Sequence, residues 1–500
     1  MAELEEKVIM TPKSKTPTST ILIVERKVAE AEPSDKIHVA GGDHTGIIIN
    51  KEKVYGKSYL IRKKPCHAQL EFCVYLVSAV TGNHTREARG LRFWFKPDVT
   101  RDECPYQAQA FFRELVSPQD FPKDYVGFIK KIIKLMQNKY HQLKLLEVEL
   151  RQEGSGPPPP GYALNQTFIS EQKVLDMIEN AYPNPLSVED FVTAGKWSKA
   201  EVKDALESLE EKGLTRLMSD GIYVRQHSID TQVVKQMPTL CSSRQPTIAV
   251  VTALYCEKQA VDAMMDNQET YVRYTTVGES NVYTLGTVGS HRVVTTKLPS
   301  VGRTREAMTA AGNTTTRLLG IFQKVEYVFL VGVGGGVPHY TDYSKHVRLG
   351  DVVVSTPASD TIDKLRGVPG RWEVPEEATD RLCVDVGGGA FIEVSHPTPQ
   401  GEEMRSARVH CAPVAGGRAV ASAGESRAAF ANYARAKAYD CELDAVLDSV
   451  VGNCKDCFIS IRGIADYRDG TRGKEWQPHA ALAAAAVMKS IIAAMAPPSD

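Results

Sequence analysis

Excess charge of either sign is missing from this 500-residue chain: 60 Lys and Arg stand against 61 Asp and Glu, a formal net charge of −1. Such a balance exerts no global pull toward nucleic acid or anionic membrane, so any contact of that kind has to be a local patch. Long hydrophobic runs are missing too. The most apolar late segment, residues 480–495, is mostly Ala, contains Lys489, and is too short to cross a bilayer. The opening MAELEEKVIMTPKSKTPTST lacks the apolar core of a secretory signal, which predicts a cytoplasmic protein without membrane association. Cysteine is sparse, at ten residues, and excludes a disulfide framework in favour of reduced thiols. Cys454 and Cys457 make a single CxxC with no second pair and no neighbouring His, too little for a zinc site. No metal is predicted.

Five hundred residues exceed one hydrophobic core, and composition shifts divide the chain. Residues 1–18, rich in Thr, Pro, Ser and Lys, read as a disordered tail. Residues 19–151 read as an α+β domain of unknown function. Its β-type runs are ILIV at 21–24, IHVA at 37–40, GIII at 46–49, LEFCVYLVSAV at 70–80 and LRFWF at 91–95. Helical spacing follows, first in AQAFFREL and then in one long segment from Tyr125 to Leu150, with Val126, Ile129, Ile133, Met136, Tyr140 and Leu143 on one face. Lys130, Lys131, Lys134, Lys139 and Lys144 cover the rest of that segment and read as a solvated face. Cys66, His67, Cys73 and His84 lack the spacing of a zinc finger.

EGSGPPPPG marks a linker over 152–162, because a Pro run bracketed by Gly does not join a packed core. Residues 163–228 carry three helices and a hairpin. Ser170 caps the first helix, the second spans about 188–193, and Ser198 with Glu201 forms a capping box for the third. LTRLMSDGIYVRQ turns at Asp220–Gly221. This arrangement resembles a winged helix. In its third helix the acids Glu201, Asp204, Glu207, Glu210 and Glu211 outnumber Lys199, Lys203 and Lys212, which argues against DNA reading. Protein partners, here and on the N-terminal domain, fit better. Residues 229–246 form a second, polar linker.

From 247 to 496 strands and helices alternate, as in a three-layer α/β domain. GVGGG at 332–336 fails as a dinucleotide fingerprint: Val337 stands where the third Gly belongs, and Pro338 follows. Its glycines do permit close backbone approach to a ligand. ISIRGIAD, residues 459–466, delivers one carboxylate to the mouth of a buried strand, where open α/β sheets place their chemistry.

TALYCEKQAVDAMMD, FLVGVGGGVP, RLGDVVVS, CELDA and IRGIADYRDGTRGKEWQPHAALAAAA occur in that order over the second half of the chain. Together they resemble the purine and uridine phosphorylase superfamily, most of all its branch of methylthioadenosine/S-adenosylhomocysteine nucleosidases. The resemblance implies a nucleoside phosphorylase-like three-layer αβα domain, often a homo-oligomer, acting on purine nucleosides or nucleotides without a cofactor. It makes Asp466 the acid that donates to the purine N7, and Glu257 the residue that orients the attacking water. Glu442, Leu443 and Asp444 match the ribose clamp, with Leu443 in place of Met and Asp444 in place of Glu. Gly334, Gly335 and Gly336 match the loop beside ribose and base, and Val420 stands where a bacterial Phe covers the base. Residues 357–410 read as a long loop. Arg462 reads as a structural pairing partner.

Hydrolysis and phosphorolysis differ in charge demand. LYCEKQ lacks the Gly-Asp-Pro and Arg pattern of the phosphorylases, and Glu257 would repel phosphate, although Arg303 and Arg305 offer compensating cations. Water is the favoured nucleophile. The alternatives are a phosphorylase and a catalytically inactive nucleotide-sensing adaptor.

Overall fold

The computed structural model describes residues 6–28, 37–39, 48–50, 65–77, 84–122, 124–155, 169–219, 221–227, 231–275, 280–302, 304–354, 373–387, 390–398, 407–416, 427–428, 430–431, 434–440, 444–453, 455, 457–468 and 474–498. They form two units. The first comprises Met1–Leu164 with two later segments, His339–His346 and Asp380–Glu403, and the second comprises the rest. Among the described residues no helix is long and apolar enough to cross a membrane.

A nine-stranded sheet builds the first unit, in the order Leu382–Gly387, Ala390–Val394, Ala68–Val77, His84–Phe95, Leu143–Ser155, Ser19–Val28, Glu6–Lys15, Ile48–Asn50, Ile37–Val39. Helices Glu103–Leu115 and Tyr125–Asn138 bury Phe111, Phe112 and Phe128 against Phe72 and Phe93. Four expectations are corrected. The expected tail 1–18 contains the strand Glu6–Lys15, paired antiparallel with Ser19–Val28. The expected helix to Leu150 stops at Asn138, because from Leu146 the apolar period becomes two: Leu146, Val148 and Leu150 are buried while Glu147 pairs with Arg92 and Glu149 with Arg92 on the other face. That strand runs on to Ser155, into the expected linker, and residues 156–168 lie outside the described ones. The expected loop 357–410 contains the hairpin Leu382–Gly387/Ala390–Val394, which joins the sheet through Glu393 beside Cys73. Its partner strand Ala68–Val77 lies far earlier in the chain, so the pairing leaves no local signal.

The second unit holds the three-helix module and the α/β sheet. Capping boxes at Ser187/Asp190 and Ser198/Glu201 start helices Val188–Gly195 and Lys199–Glu211, and Ser170 caps Glu171–Ala181. Val174, Ile178, Phe191, Val202, Leu206 and Leu209 form their common core. The wing, Thr215–Ser219 and Ile222–Arg225, turns through Gly221 at φ +71°, a left-handed conformation that suits glycine; Asp220 lies outside the described residues.

At the centre of the α/β sheet the strands His291–Lys297, Ile248–Thr252, Tyr327–Gly336 and Phe458–Asp466 run parallel. Helices Tyr255–Ala263 and Gln477–Ala494 bury Val261, Met264, Leu482, Ala485 and Met488 on one face. Arg305–Ile321 and Asp444–Gly452 bury Leu318, Leu319, Val446 and Val450 on the other. Helices on both faces require strands that are apolar throughout, and IAVVT is buried at every position. Gly463 brings the last helix close: a Cβ there would lie 1.9 Å from the Ala480 carbonyl oxygen.

Candidate functional site

Period two on the strand Phe458–Asp466 places Arg462 and Ile464 on one face, and a bulge at Ala465 interrupts the alternation before Asp466. The adjacent strand presents Gly332 opposite Arg462 and Gly334 opposite Ile464; a bulge then brings Gly335 opposite Asp466. Missing side chains at Gly332 and Gly334 leave a trough. A Cβ on Gly332 would stand 2.5 Å from Glu257 Oε1 and 2.7 Å from an Arg462 guanidinium nitrogen. One on Gly334 would stand 2.8 Å from the Tyr439 carbonyl oxygen. The glycines therefore seat two charged side chains and a crossing backbone, a role the sequence reading did not give them.

Glu257 lies in the first turn of helix Tyr255–Ala263, where carboxylates are favoured by the exposed backbone N–H groups. Its Oε2 accepts from the N–H of Ala253 at 2.7 Å and of Leu254 at 2.8 Å, and its Oε1 accepts from the Val333 N–H at 2.8 Å. The residue is 2% exposed. Burial pushes its proton affinity above the usual carboxylate range; the backbone donors at Leu254, Val333 and Ala253 and the charge of Arg462 oppose that rise without cancelling it. A carboxylate of raised basicity with one lone pair of Oε1 uncommitted can hold and polarise a water.

Arg462 is 1% exposed; its guanidinium forms a 2.8 Å ion pair with Asp440, and its Nε donates to Ser460 Oγ at 3.2 Å. Asp440 ends a short strand paired antiparallel with Gly335 and Gly336, immediately before the CELDA segment. Arg462 does pair structurally, as expected, but the charge it pairs with lies in the same buried cluster as Glu257. Asp440 was missed, since only the crossing of strand Ala438–Asp440 over the glycines brings it there. Its signal was weak: an acid two residues before another acid, at a strand end.

Asp466 closes the strand, 3% exposed, with Oδ1 accepting from the Arg468 N–H at 2.7 Å. One lone pair thus orders the following loop, and Gly335 lies beside it. Asp466, Glu257, Gly334, Gly335 and Gly336 are therefore brought to one end of adjacent strands. Asp444 heads the helix Asp444–Gly452, and its side chain is outside the described residues, as are Glu442, Leu443, Val420 and Arg303. Arg305 opens the helix Arg305–Ile321, capped by Thr304. Among the described residues no cluster of three His, Cys, Asp or Glu is arranged to hold a metal.

A separate open cavity of about 1350 Å³ lies within the first unit, with Arg92, Trp94, Glu147, Glu149, Tyr343 and His396 in its lining. None of the sequence-derived site residues borders it.

Comparison with known proteins matches a winged helix-turn-helix domain family to residues 163–227. A protein of Hyaloscypha variabilis named as a nucleotide-binding leucine-rich repeat (NLR)-like protein is 26% identical over 308 residues, half of this chain. The chain spans 29% of that relative's length. Structural neighbours include the 5'-methylthioadenosine/S-adenosylhomocysteine nucleosidase of Neisseria meningitidis, at 19% identity and TM-score 0.33, covering 50% of this chain and 100% of that one. Futalosine hydrolase of Helicobacter pylori is similar at 16% identity and TM-score 0.31, over 50% of this chain and 99% of that one.

Proposed function

We propose that the α/β part of the second unit, a nucleoside phosphorylase-like domain, hydrolyses the N-glycosidic bond of a purine nucleoside or nucleotide and releases the free base. One observation carries the reading: two buried carboxylates, Glu257 and Asp466, both meet the C-terminal part of the strand Tyr327–Gly336, Glu257 at the Val333 N–H and Asp466 paired with Gly335. The motif resemblance assigns them complementary tasks. Asp466 donates a proton to the purine N7, so that the base departs as a neutral leaving group while the bonding electrons of the glycosidic bond pass to it. Glu257, raised in basicity by burial, takes a proton from the water that attacks the ribose C1′ as the bond to the base lengthens. Arg462 stays beside Glu257 and limits how far that rise goes. The segment 442–444 would hold the ribose hydroxyls.

Water is preferred over phosphate because the anionic Glu257 occupies the place where a phosphate nucleophile would need cations. Chromatography of adenosine, guanosine, inosine, uridine and ATP after incubation with the protein, with and without phosphate, tests the reading. Phosphate-independent release of a purine supports it; release only with phosphate replaces it by phosphorolysis.

A second reading, a nucleotide-sensing adaptor without turnover, draws support from the three backbone N–H groups already spent on Glu257 and from the name of the fungal relative. Binding of adenosine in calorimetry with no base released would favour it.

A further inference from the structure

Tyr255, Lys258 and Asp262 lie at i, i+3 and i+7 and so share one stripe of helix Tyr255–Ala263, the helix whose first turn carries Glu257. That stripe is buried and polar. Lys258 is 0% exposed, ion-pairs with Asp262, and donates to Thr284 Oγ1 at 2.6 Å and Thr295 Oγ1 at 2.8 Å. The network does not end within the α/β sheet. His227, which follows the last wing strand, places Nε2 3.0 Å from Asp262 Oδ2 and Nδ1 3.2 Å from the Tyr255 hydroxyl. Burial holds the proton affinity of His227 below the usual histidine range, against the opposing pull of Asp262. Its two ring nitrogens thus join Asp262 on one side to the Tyr255 hydroxyl on the other. Tyr182, from the end of the first module helix, stacks on the His227 ring at 5.6 Å.

A second clamp sits one strand away. Lys297, 0% exposed, donates to the carbonyl oxygens of Asn180 at 3.0 Å, Tyr182 at 2.9 Å and Leu298 at 2.8 Å. The first two are free carbonyls at the C-terminus of helix Glu171–Ala181, where a cation is favoured. Lys297 pairs in register with Thr252, and the Leu298 N–H donates to the Thr252 carbonyl at 2.9 Å. Thr252 directly precedes Ala253 and Leu254, the residues whose N–H groups hold Glu257. Asn184 adds bonds to the Pro299 carbonyl at 3.1 Å and the Ser280 N–H at 2.9 Å.

We propose that the winged helix is a fixed support of the candidate site, with His227 and Lys297 as positioning residues that hold the Ala253–Leu254 turn and thereby set Glu257. A buried polar network that loses one member leaves its partners unsatisfied, so the support acts as a unit. The effect on base release rests on the reading of Glu257 given above; the effect on the geometry does not.

Hydrogen exchange of the full chain reads the geometry directly. In His227→Ala and in Lys297→Met, the amides of Ala253, Leu254 and Val333 should exchange at least about tenfold faster, a loss of about 1.4 kcal/mol of protection. His227→Gln, which keeps a donor and an acceptor, should restore part of the protection, and Lys203→Ala on an exposed helix face should change nothing. Amides of Val250 and Val331 in the sheet core serve as the control for general loosening. Unchanged exchange at the three amides in a folded variant overturns the proposal. Uniform acceleration that includes the sheet core overturns it too, since it makes the role purely structural. Where purine release is measurable, kcat should fall with KM held. A wild type that releases no base yet shows the localised exchange pattern supports the positioning role and removes the hydrolase reading.

Discussion

Two sets of ion pairs, one in each unit, use the same residue types at different depths. In the first, Arg92 pairs with Glu147 at 2.7 Å and with Glu149 at 3.1 Å on a sheet face where the Arg92 side chain keeps 38% of its exposure. In the second, Arg462 pairs with Asp440, and Lys258 with Asp262, with 2% and 0% exposure of the cations. A solvated pair is screened and exchanges partners freely, whereas a buried one is costly to form and worse to break. Charges retained inside an α/β sheet, beside glycines that seat them, therefore point to function or to positioning, while the ladder on Arg92, a part-exposed cation over the buried Glu147, has no such setting.

The largest effect expected from breaking the buried set is chemical. Asp466→Asn should cut purine release by about 10²–10⁴-fold, the range for loss of a general acid, and an unchanged rate by chromatography would remove Asp466 from the mechanism. Next in size is Asp262→Ala, which strands Lys258 and should cost about 3–5 kcal/mol in denaturant unfolding of the second unit. The paired change Lys258→Met with Asp262→Leu should recover much of that loss; failure to recover would show that the stripe is held by more than charge.

A smaller effect follows from acidity. His227 and Asp262 both have folded proton affinities below their unfolded ones, burial being the main cause for His227, and the Lys258 and His227 partners outweighing burial for Asp262. The unfolded chain therefore binds more protons: the His227 contribution is present above the ordinary histidine value of 6.5 and fades as pH falls below it, while that of Asp262 is lost only below the ordinary carboxylate value of 3.8. Thermal melts between pH 7.5 and about 5 should show a declining midpoint that is flatter in His227→Gln; equal slopes would take His227 out of the linkage. Smallest of all is Arg92→Ala, expected at about 0–1 kcal/mol. A larger loss would mean that the first unit's ladder is not the solvated set described here.

Legibility followed the range of the forces involved. The winged helix was readable in detail because Ser170, Ser198 and Glu201 act on backbone groups within three residues. Leu143–Leu150 was misread as helix because LKLLEVEL suits both periods until a neighbouring strand is supplied. Glu6–Lys15 and the hairpin Leu382–Val394 have the same explanation: each is a strand only by virtue of a partner. Within the site, Asp466 and Glu257 were found from motif and position. Asp440, the seat that Gly332 provides, and the contacts of His227 with helix Tyr255–Ala263 were not, since each depends on residues far apart in the chain.

By itself the amino-acid order determined the local units: the capped helices, the wing turn at Gly221, the apolar strand Ile248–Thr252, and a strand that ends in Asp466. Those rest on short-range hydrogen bonding and on hydrophobic periodicity, which are written into neighbouring residues. Tertiary structure alone decided which charges are buried together. It set Arg462 against Asp440, Glu257 against the Val333 N–H, and His227 against Asp262. The cost of removing an ion from water depends on what surrounds it, and those surroundings exist only once distant strands have met.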